Sequence, residues 1–270
     1  YENLDFLDSV HADYVLILSG DHIYSTTYDA MLDQHISKNA DCTIAVYEVP
    51  LKEASRFGIL VADETGRITE FQEKPAHPTS TLASMGIYIF SYPILKEMLT
   101  KDAANEKSSH DFGKDVIPMM LNGGKTLTAY KYKGYWKDVG TITSLHEANM
   151  DLLLSSESTN FDKIMAGNKI YSEDKSGHPQ YIGEHADVSD SFINQGAVIL
   201  GKVKHCVISG EVIVEEGAVA ENTVIMTGAI LRKGSVVKNA MVAPGFEVEA
   251  GKEYIGKTDD ILLVANKEAK

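Results

Sequence analysis

Four acid and base side chains stand out by type and position: Asp21 ends Ser19-Gly-Asp, Glu73 and Lys74 precede Pro75, and Asp138 follows Trp136-Lys137. Asp21 comes directly after Tyr14 to Leu18, an apolar run too short for a helix and suited to a strand covered on both faces of an α/β sheet. The crevice outside the carboxyl ends of such strands is the usual ligand site, and a Ser-Gly pair there lets a ligand approach the backbone closely. Carboxylates at that position offer oxygen donors, and lysine offers a compact cation. Proline after Lys74 predicts an extended conformation for the lysine.

Several elements must position these groups. Leu4, Phe6 and Leu7 among acids predict a short helix feeding the first strand. Tyr28, Met31, Leu32, His35 and Ile36 recur at helical spacing behind the capping candidates Ser25, Thr26 and Thr27. Cys42 to Val49 reads as the next strand, so the strand, helix, strand order predicts parallel pairing with a right-handed crossover. Two segments, 57–61 and 67–71, flank Asp63-Glu-Thr-Gly66 as an antiparallel hairpin. Ser84 to Phe90 and Thr126 to Tyr132 are further strands, Ile94 to Leu99 and Asp115 to Leu121 short helices, and the polar stretch Lys101 to Ser109 a loop of no evident chemistry. Asp138 is expected in a loop between a strand and a helix that Thr141 caps. Both aspartates thus fall at strand ends of one sheet.

Composition bounds the function. The 270 residues are 44% hydrophobic and 24% charged, ordinary for a globular protein of one or two domains. A net charge of −14 supplies no excess of cations to replace phosphate counterions, which argues against nucleic-acid and membrane-surface binding. No apolar stretch approaches the roughly 20 residues that cross a bilayer. The two cysteines, Cys42 and Cys206, lack metal-site spacing, and a reducing, cytoplasmic compartment is expected.

Residues 155 to 177 lose periodicity and fill with Ser, Asn, Lys and Gly, which marks a boundary. Beyond it every sixth residue from Val212 is apolar: Val212, Ala218, Val224, Ile230, Val236 and Val242. The adjacent column, from Ile213 to Ala243, is apolar too, and Gly217, Thr223, Ala229 and Ser235 form a column of small residues. Such a hexapeptide period is the signature of a parallel β-helix whose rungs stack to bury a continuous core; an amphipathic β-sandwich is the competing reading.

Taken in order, Ser19-Gly-Asp-His22, Arg56-Phe-Gly-Ile59, Phe71-Gln-Glu-Lys-Pro75, Ala83-Ser-Met-Gly-Ile-Tyr88, Ser109-His-Asp-Phe-Gly113 and Tyr135-Trp-Lys-Asp-Val-Gly-Thr141 resemble the bacterial glucose-1-phosphate adenylyltransferases, the ADP-glucose pyrophosphorylases of glycogen synthesis. The resemblance implies a fold class of α/β type, a partial Rossmann-like nucleotidyltransferase mixed sheet followed by a left-handed parallel β-helix. The corresponding domains are a catalytic domain over 1–154, a linker over 155–180 and the β-helix over 181–270. It also implies that the phosphate of glucose 1-phosphate attacks the α-phosphorus of ATP, giving ADP-glucose and pyrophosphate. Mg²⁺ would be held by Asp21 and Asp138, and Lys74 would take the sugar phosphate. Glu73 and Ser84 would bond glucose hydroxyls, Gly58 and Gly86 would allow close backbone approach, and Trp136 would stand at the sugar or in the core. A dianionic phosphate needs no general base, so His22 would orient Asp21. The partners implied are ATP, glucose 1-phosphate and further copies of the chain in a homotetramer.

One departure accompanies the match. The family opens with a Gly-rich loop followed by basic residues, and no such stretch precedes Asp21. The chain is therefore expected to begin partway into the catalytic domain, to lack much of the effector site, and to be inactive alone. Three other readings remain at this point: a thymidylyl or uridylyl transferase, a non-catalytic regulatory subunit, and a hexapeptide acyltransferase using His205.

Overall fold

The computed structural model describes residues 1–153, 170–171 and 177–266. The expected linker over 155–180 therefore lies largely outside the described residues. The chain divides into two compact units that do not follow chain order: residues 1–20 with 27–133, and residues 21–26 with 134–270.

The first unit contains α1 (Leu4–Val10), β1 (Tyr14–Ile17), α2 (Asp29–Ser37), β3 (Cys42–Glu48), α3 (Leu51–Ala54), β4 (Gly58–Ala62), β5 (Ile68–Glu73), β6 (Leu82–Ser91), α4 (Tyr92–Ala103), α5 (Ile117–Asn122) and β7 (Leu127–Lys131). The remaining early strand, β2 (His22–Tyr24), belongs to the second unit. Six strands form one mixed sheet in the order β5-β4-β6-β3-β7, with β1 also paired to β6. The expected β4–β5 hairpin is present, closed at Gly66 with φ +81°. Its core gathers Ile44, Leu60, Phe90, Leu95, Ile117 and Leu127, all fully or almost fully buried.

Three expectations are corrected in this unit. β1 and β3 are not neighbours, because the ten-residue β6 lies antiparallel to both and separates them. β1 is not covered on both faces: Tyr14 and Leu16 are exposed and Val15 and Ile17 half-buried, since only one face meets the core. The N-cap position of α2 is Tyr28, so it falls on none of Ser25, Thr26 and Thr27.

In the second unit, β2 pairs antiparallel with β8 (Trp136–Asp138), and α6 (Ile142–Met150) follows at once. Thr141 does cap α6: its Oγ1 accepts from Ser144 N, while Ser144 Oγ accepts from Thr141 N, both at 3.1 Å.

The remainder of this unit is a parallel solenoid. The short strands β9 (Tyr181–Ile182), β11 (Val198–Ile199), β13 (Ile213–Val214), β15 (Ile230–Leu231) and β17 (Glu247–Val248) stack into one sheet. The longer strands β10 (Asp187–Ile193), β12 (Lys202–Ile208), β14 (Val219–Ile225), β16 (Val236–Val242) and β18 (Glu253–Ile255) stack into another, where β19 (Leu262–Val264) also pairs with β16. The hexapeptide signal is thus a solenoid and not a sandwich, but its coils from β10 to β18 repeat at 15 or 17 residues, as the Asp187–Lys202 and Val219–Val236 pairings record. A strict six-residue column therefore slips. Val212 and Ala218 face the solenoid core, whereas Val224 packs outside it with Leu145 and Met150 of α6. Ile225, Leu231 and Val237, from the adjacent column, take the interior instead.

Candidate active site

Asp21 and Asp138 come together, though not as ends of the main sheet. Asp21 immediately precedes β2, Asp138 ends β8, and these strands make a separate two-stranded sheet in which His22 stands opposite Asp138. The pairing extends past the strands through Val139 N, which donates to Asp21 O at 3.0 Å. Gly140 N donates to Asp138 Oδ1 at 2.8 Å and orients that carboxylate. A Cβ added at Gly140 would stand 3.1 Å from Asp138 Oδ1 and 3.3 Å from Asp21 Oδ2, so both carboxylates border the same small space.

Two oxygen donors of this kind, completed by substrate phosphates, fit a hard divalent cation. Among the described residues no group of three or more His, Cys, Asp and Glu side chains is placed to hold a metal. A cation here would therefore depend on the pair.

His22 lies beside Asp21, with Nε2 3.7 Å from Asp21 Oδ1. Trp136 is buried, packs edge-on to the His22 ring and donates its indole N–H to His22 Nδ1 at 3.4 Å. Indole nitrogen only donates, so in the neutral ring the His22 proton sits on Nε2, the atom facing Asp21. On the other side of β8, Lys137 pairs with Glu147 at 2.9 Å and Asp151 at 3.3 Å, and Tyr135 donates to Asp151 at 3.0 Å.

The sugar-side candidates lie in the first unit. Glu73 ends β5 opposite Gly58, and its Oε2 would stand 2.9 Å from a Cβ at Gly58 and 2.6 Å from one at Gly113. Both glycines are thus required for the Glu73 carboxylate to sit where it does. Burial raises the Glu73 pKa above its usual value and nearby Asp111 adds to this, while Lys74 and Lys114 oppose it. Lys74 is exposed and adopts φ +46°, so the expected extended conformation is wrong. Its amide still donates to Phe57 O at 3.1 Å, which carries the hairpin pairing one residue past β5 while the chain turns away. A left-handed lysine before proline is a strained backbone.

Ser84 is buried in β6, and its Oγ accepts from Gly86 N at 3.3 Å. Gly86 has φ +64°, a conformation suited to glycine.

Asp111, Gly113 and Lys114 were not among the candidates from sequence. They enter because Ser109-His-Asp-Phe-Gly113 leads into a π-turn over Phe112–Val116, where Asp111 Oδ1 accepts from Lys114 N at 2.8 Å. The preceding loop is built by side chains: Asp102 accepts from Ser108 at 2.6 Å and pairs with His110 at 2.8 Å. A cavity of about 580 Å³ near that loop is lined by residues 1–3 and by residues of α1, β1 and α4, with His110 and Phe112, and contains none of Gly58, Glu73, Lys74 or Ser84. His205, the acyltransferase candidate, is held by Asp190 at 2.6 Å.

The Nucleotidyl transferase family model matches residues 1–155, and that described as GlmU-like, C-terminal hexapeptide matches residues 178–260. The mixed sheet and the solenoid, with these two matches, define a nucleotidyltransferase type of protein with a hexapeptide-repeat domain. Glucose-1-phosphate adenylyltransferases of Bacillus thuringiensis and Bacillus cereus are each 51% identical over 267 residues, and that of Bacillus cytotoxicus is 49% identical over 271. Each alignment covers 98% of this chain and 70% of the relative. The chain belongs to the glucose-1-phosphate adenylyltransferase family.

No helix among the described residues is long and apolar enough to cross a membrane.

Proposed function

We propose that the chain serves adenylyl transfer from ATP to α-D-glucose 1-phosphate, yielding ADP-glucose and pyrophosphate for glycogen synthesis. The observation that carries this is the 51% identity to adenylyltransferases across 98% of the chain. The meeting of Asp21 and Asp138 at one space beside Gly140 gives it a physical basis.

Phosphoryl-group chemistry of this kind is mostly a matter of aligning two phosphates and neutralising charge. Mg²⁺, when bound, would supply Lewis-acid stabilisation of the phosphate oxygens. Asp21 and Asp138 would hold it, with Gly140 N–H keeping Asp138 oriented and the His22 ring standing beside Asp21. Lys74 offers its charge to the sugar phosphate, and its exposure supports that role. Glu73, half-buried between Gly58 and Gly113, offers acceptors to glucose hydroxyls. Ser84 has its hydroxyl bonded to Gly86 N–H, which supports a role through the β6 backbone. Trp136, whose N–H is donated to His22 across the β2–β8 pair, supports the strand that carries Asp138.

A cytoplasmic location is supported by two buried, unpaired cysteines, and homotetrameric assembly by exposed apolar residues of the solenoid such as Tyr181, Ile182 and Ile255. The test is nucleotide choice: the full-length polypeptide is incubated with glucose 1-phosphate and ATP, UTP or dTTP in turn. ADP-glucose as the main product is expected, and a preference for UTP or dTTP would sink the adenylyl assignment.

A further inference from the structure

His146 is a buried imidazole that the reaction does not use. It lies on α6, 3% exposed, and donates Nε2–H to the main-chain oxygen of Asn222 at 2.9 Å. Leu145 and Met150 of the same helix pack on the cluster of Val224, Met241 and Ile261, which is apolar contact without directional information. The His146 bond supplies direction: it fixes the rotation and height of α6 against the solenoid.

Its acceptor is unusual. One residue in each of the four long strands β10, β12, β14 and β16 turns left-handed: Asp190, His205, Asn222 and Asn239, with φ between 43° and 52°. The pairing of β14 with β16 runs from Glu221 opposite Lys238 to Thr223 opposite Ala240, and Asn222 stands out of the ladder between them. Asparagine tolerates this conformation better than most residues. Asn222 Nδ2 donates to Asn239 Oδ1 at 2.8 Å and Asn239 Nδ2 to Gly256 O at 3.1 Å, so the kinked column is locked from rung to rung. The carbonyl that His146 meets is thus held by the solenoid itself.

From His146 the contacts run without a gap to the carboxylates. Ser144, two residues earlier, forms the capping box with Thr141, and the neighbouring Gly140 amide holds Asp138. Glu147 and Asp151 grip Lys137, next to Asp138, from the same helix.

We propose that His146 is a positioning residue: by keying α6 to the Asn222 carbonyl it fixes the Gly140 amide, and through it the Asp138 carboxylate. The role in cation binding rests on the reading of Asp21 and Asp138 as the metal pair.

The chain and its His146→Leu, His146→Asn and His146→Gln variants are compared by amide hydrogen exchange at Gly140. Mn²⁺ titration follows, read by quenching of Trp136, the single tryptophan. Leu removes the donor and Asn is too short to bring one to the carbonyl, so each is expected to speed Gly140 exchange about tenfold and weaken Mn²⁺ binding about tenfold. Gln retains a donor and is expected to stay within about twofold of the unmodified chain. Asn serves should Leu fail to fold, with solenoid integrity followed by circular dichroism. Unchanged Gly140 exchange in a folded Leu or Asn variant overturns the proposal, as does a Gln variant as loose as Leu. Mn²⁺ binding that is absent, or that survives Asp138→Asn, overturns the metal-pair reading instead, while the exchange comparison still decides the role of His146.

Discussion

Asp21 and Asp138, 117 positions apart in the chain, place a carboxylate oxygen each within 3.3 Å of one point beside Gly140. The β2–β8 pairing produces this meeting, with His22 opposite Asp138 and Val139 N–H on Asp21 O. Substitution of Gly140 by Ala puts a methyl group at that point. Gly140 has no left-handed φ, so the backbone can accept Ala and the effect falls on the carboxylates. An increase of about tenfold in the Mg²⁺ concentration for half-maximal activity is expected, with the melting temperature within a few degrees of the parent, about the effect of misplacing a catalytic group by a fraction of an ångström. Unaltered metal dependence would remove Gly140 from the site.

Gly113→Ala tests the sugar side. Its Cβ would stand 2.6 Å from Glu73 Oε2, so the glutamate must move. The KM for glucose 1-phosphate should rise about tenfold while that for ATP stays within about twofold. Because the Glu73 pKa is raised by burial and by Asp111, glucose 1-phosphate binding should also weaken as pH falls toward that raised value from above. A Glu73→Gln enzyme should lack this acid limb.

Lys74→Gln keeps a polar side chain, one atom shorter, and removes the charge. Loss of a charge-assisted contact to phosphate is expected to raise the KM for glucose 1-phosphate by about 10- to 100-fold with little change in stability, since Lys74 is exposed. Steady-state kinetics with ATP saturating reads this directly. An equal rise in the KM for ATP would place the lysine on the nucleotide instead.

Protonation of His146 is disfavoured chiefly by burial, and also by His205, whereas the Asn222 carbonyl and Glu147 favour it; the net effect lowers its pKa from 6.5. A lowered histidine value means that the folded state binds fewer protons than the unfolded one. The stability this contributes is fully present above pH 6.5 and is lost as pH falls through the lower folded value. His146→Gln should remove that component, so its melting temperature should fall less than the parent's between pH 7 and pH 5. Buried His35, on α2 and lowered for the same reason, remains in both proteins and cancels in the comparison.

Much of this was legible in the chain. Gly66 after Asp63-Glu-Thr announced the β4–β5 hairpin, Thr141 announced the start of α6, and the six-residue columns announced the solenoid. Local rules suffice for such features because turns, caps and repeats are decided by neighbours in sequence. What failed was decided at a distance. The separate β2–β8 sheet depends on His22 meeting Asp138, which no local period encodes, and it moved the carboxylates off the main sheet. Insertion of β6 between β1 and β3 is equally non-local. Lys74 broke a local rule outright, since the Phe57 carbonyl holds its amide in line while the chain turns. Coils of 15 or 17 residues, with a left-handed residue in each of β10, β12, β14 and β16, shifted the phase of the hexapeptide columns and freed Val224 to pack under α6. His146 carried no sequence signal beyond a histidine on a helix, and Gly113 could have been found only as a glycine inside a quoted motif.

The metal dependence of ADP-glucose formation in the full-length polypeptide and its Asp138→Asn variant is the decisive measurement. Product is measured from ATP and glucose 1-phosphate across a Mg²⁺ titration. Robust synthesis by the parent, and a loss of at least about a hundredfold in the variant that extra Mg²⁺ does not restore, is the expected result. Full activity in Asp138→Asn at ordinary Mg²⁺, or no ADP-glucose from the parent at any concentration, would contradict it.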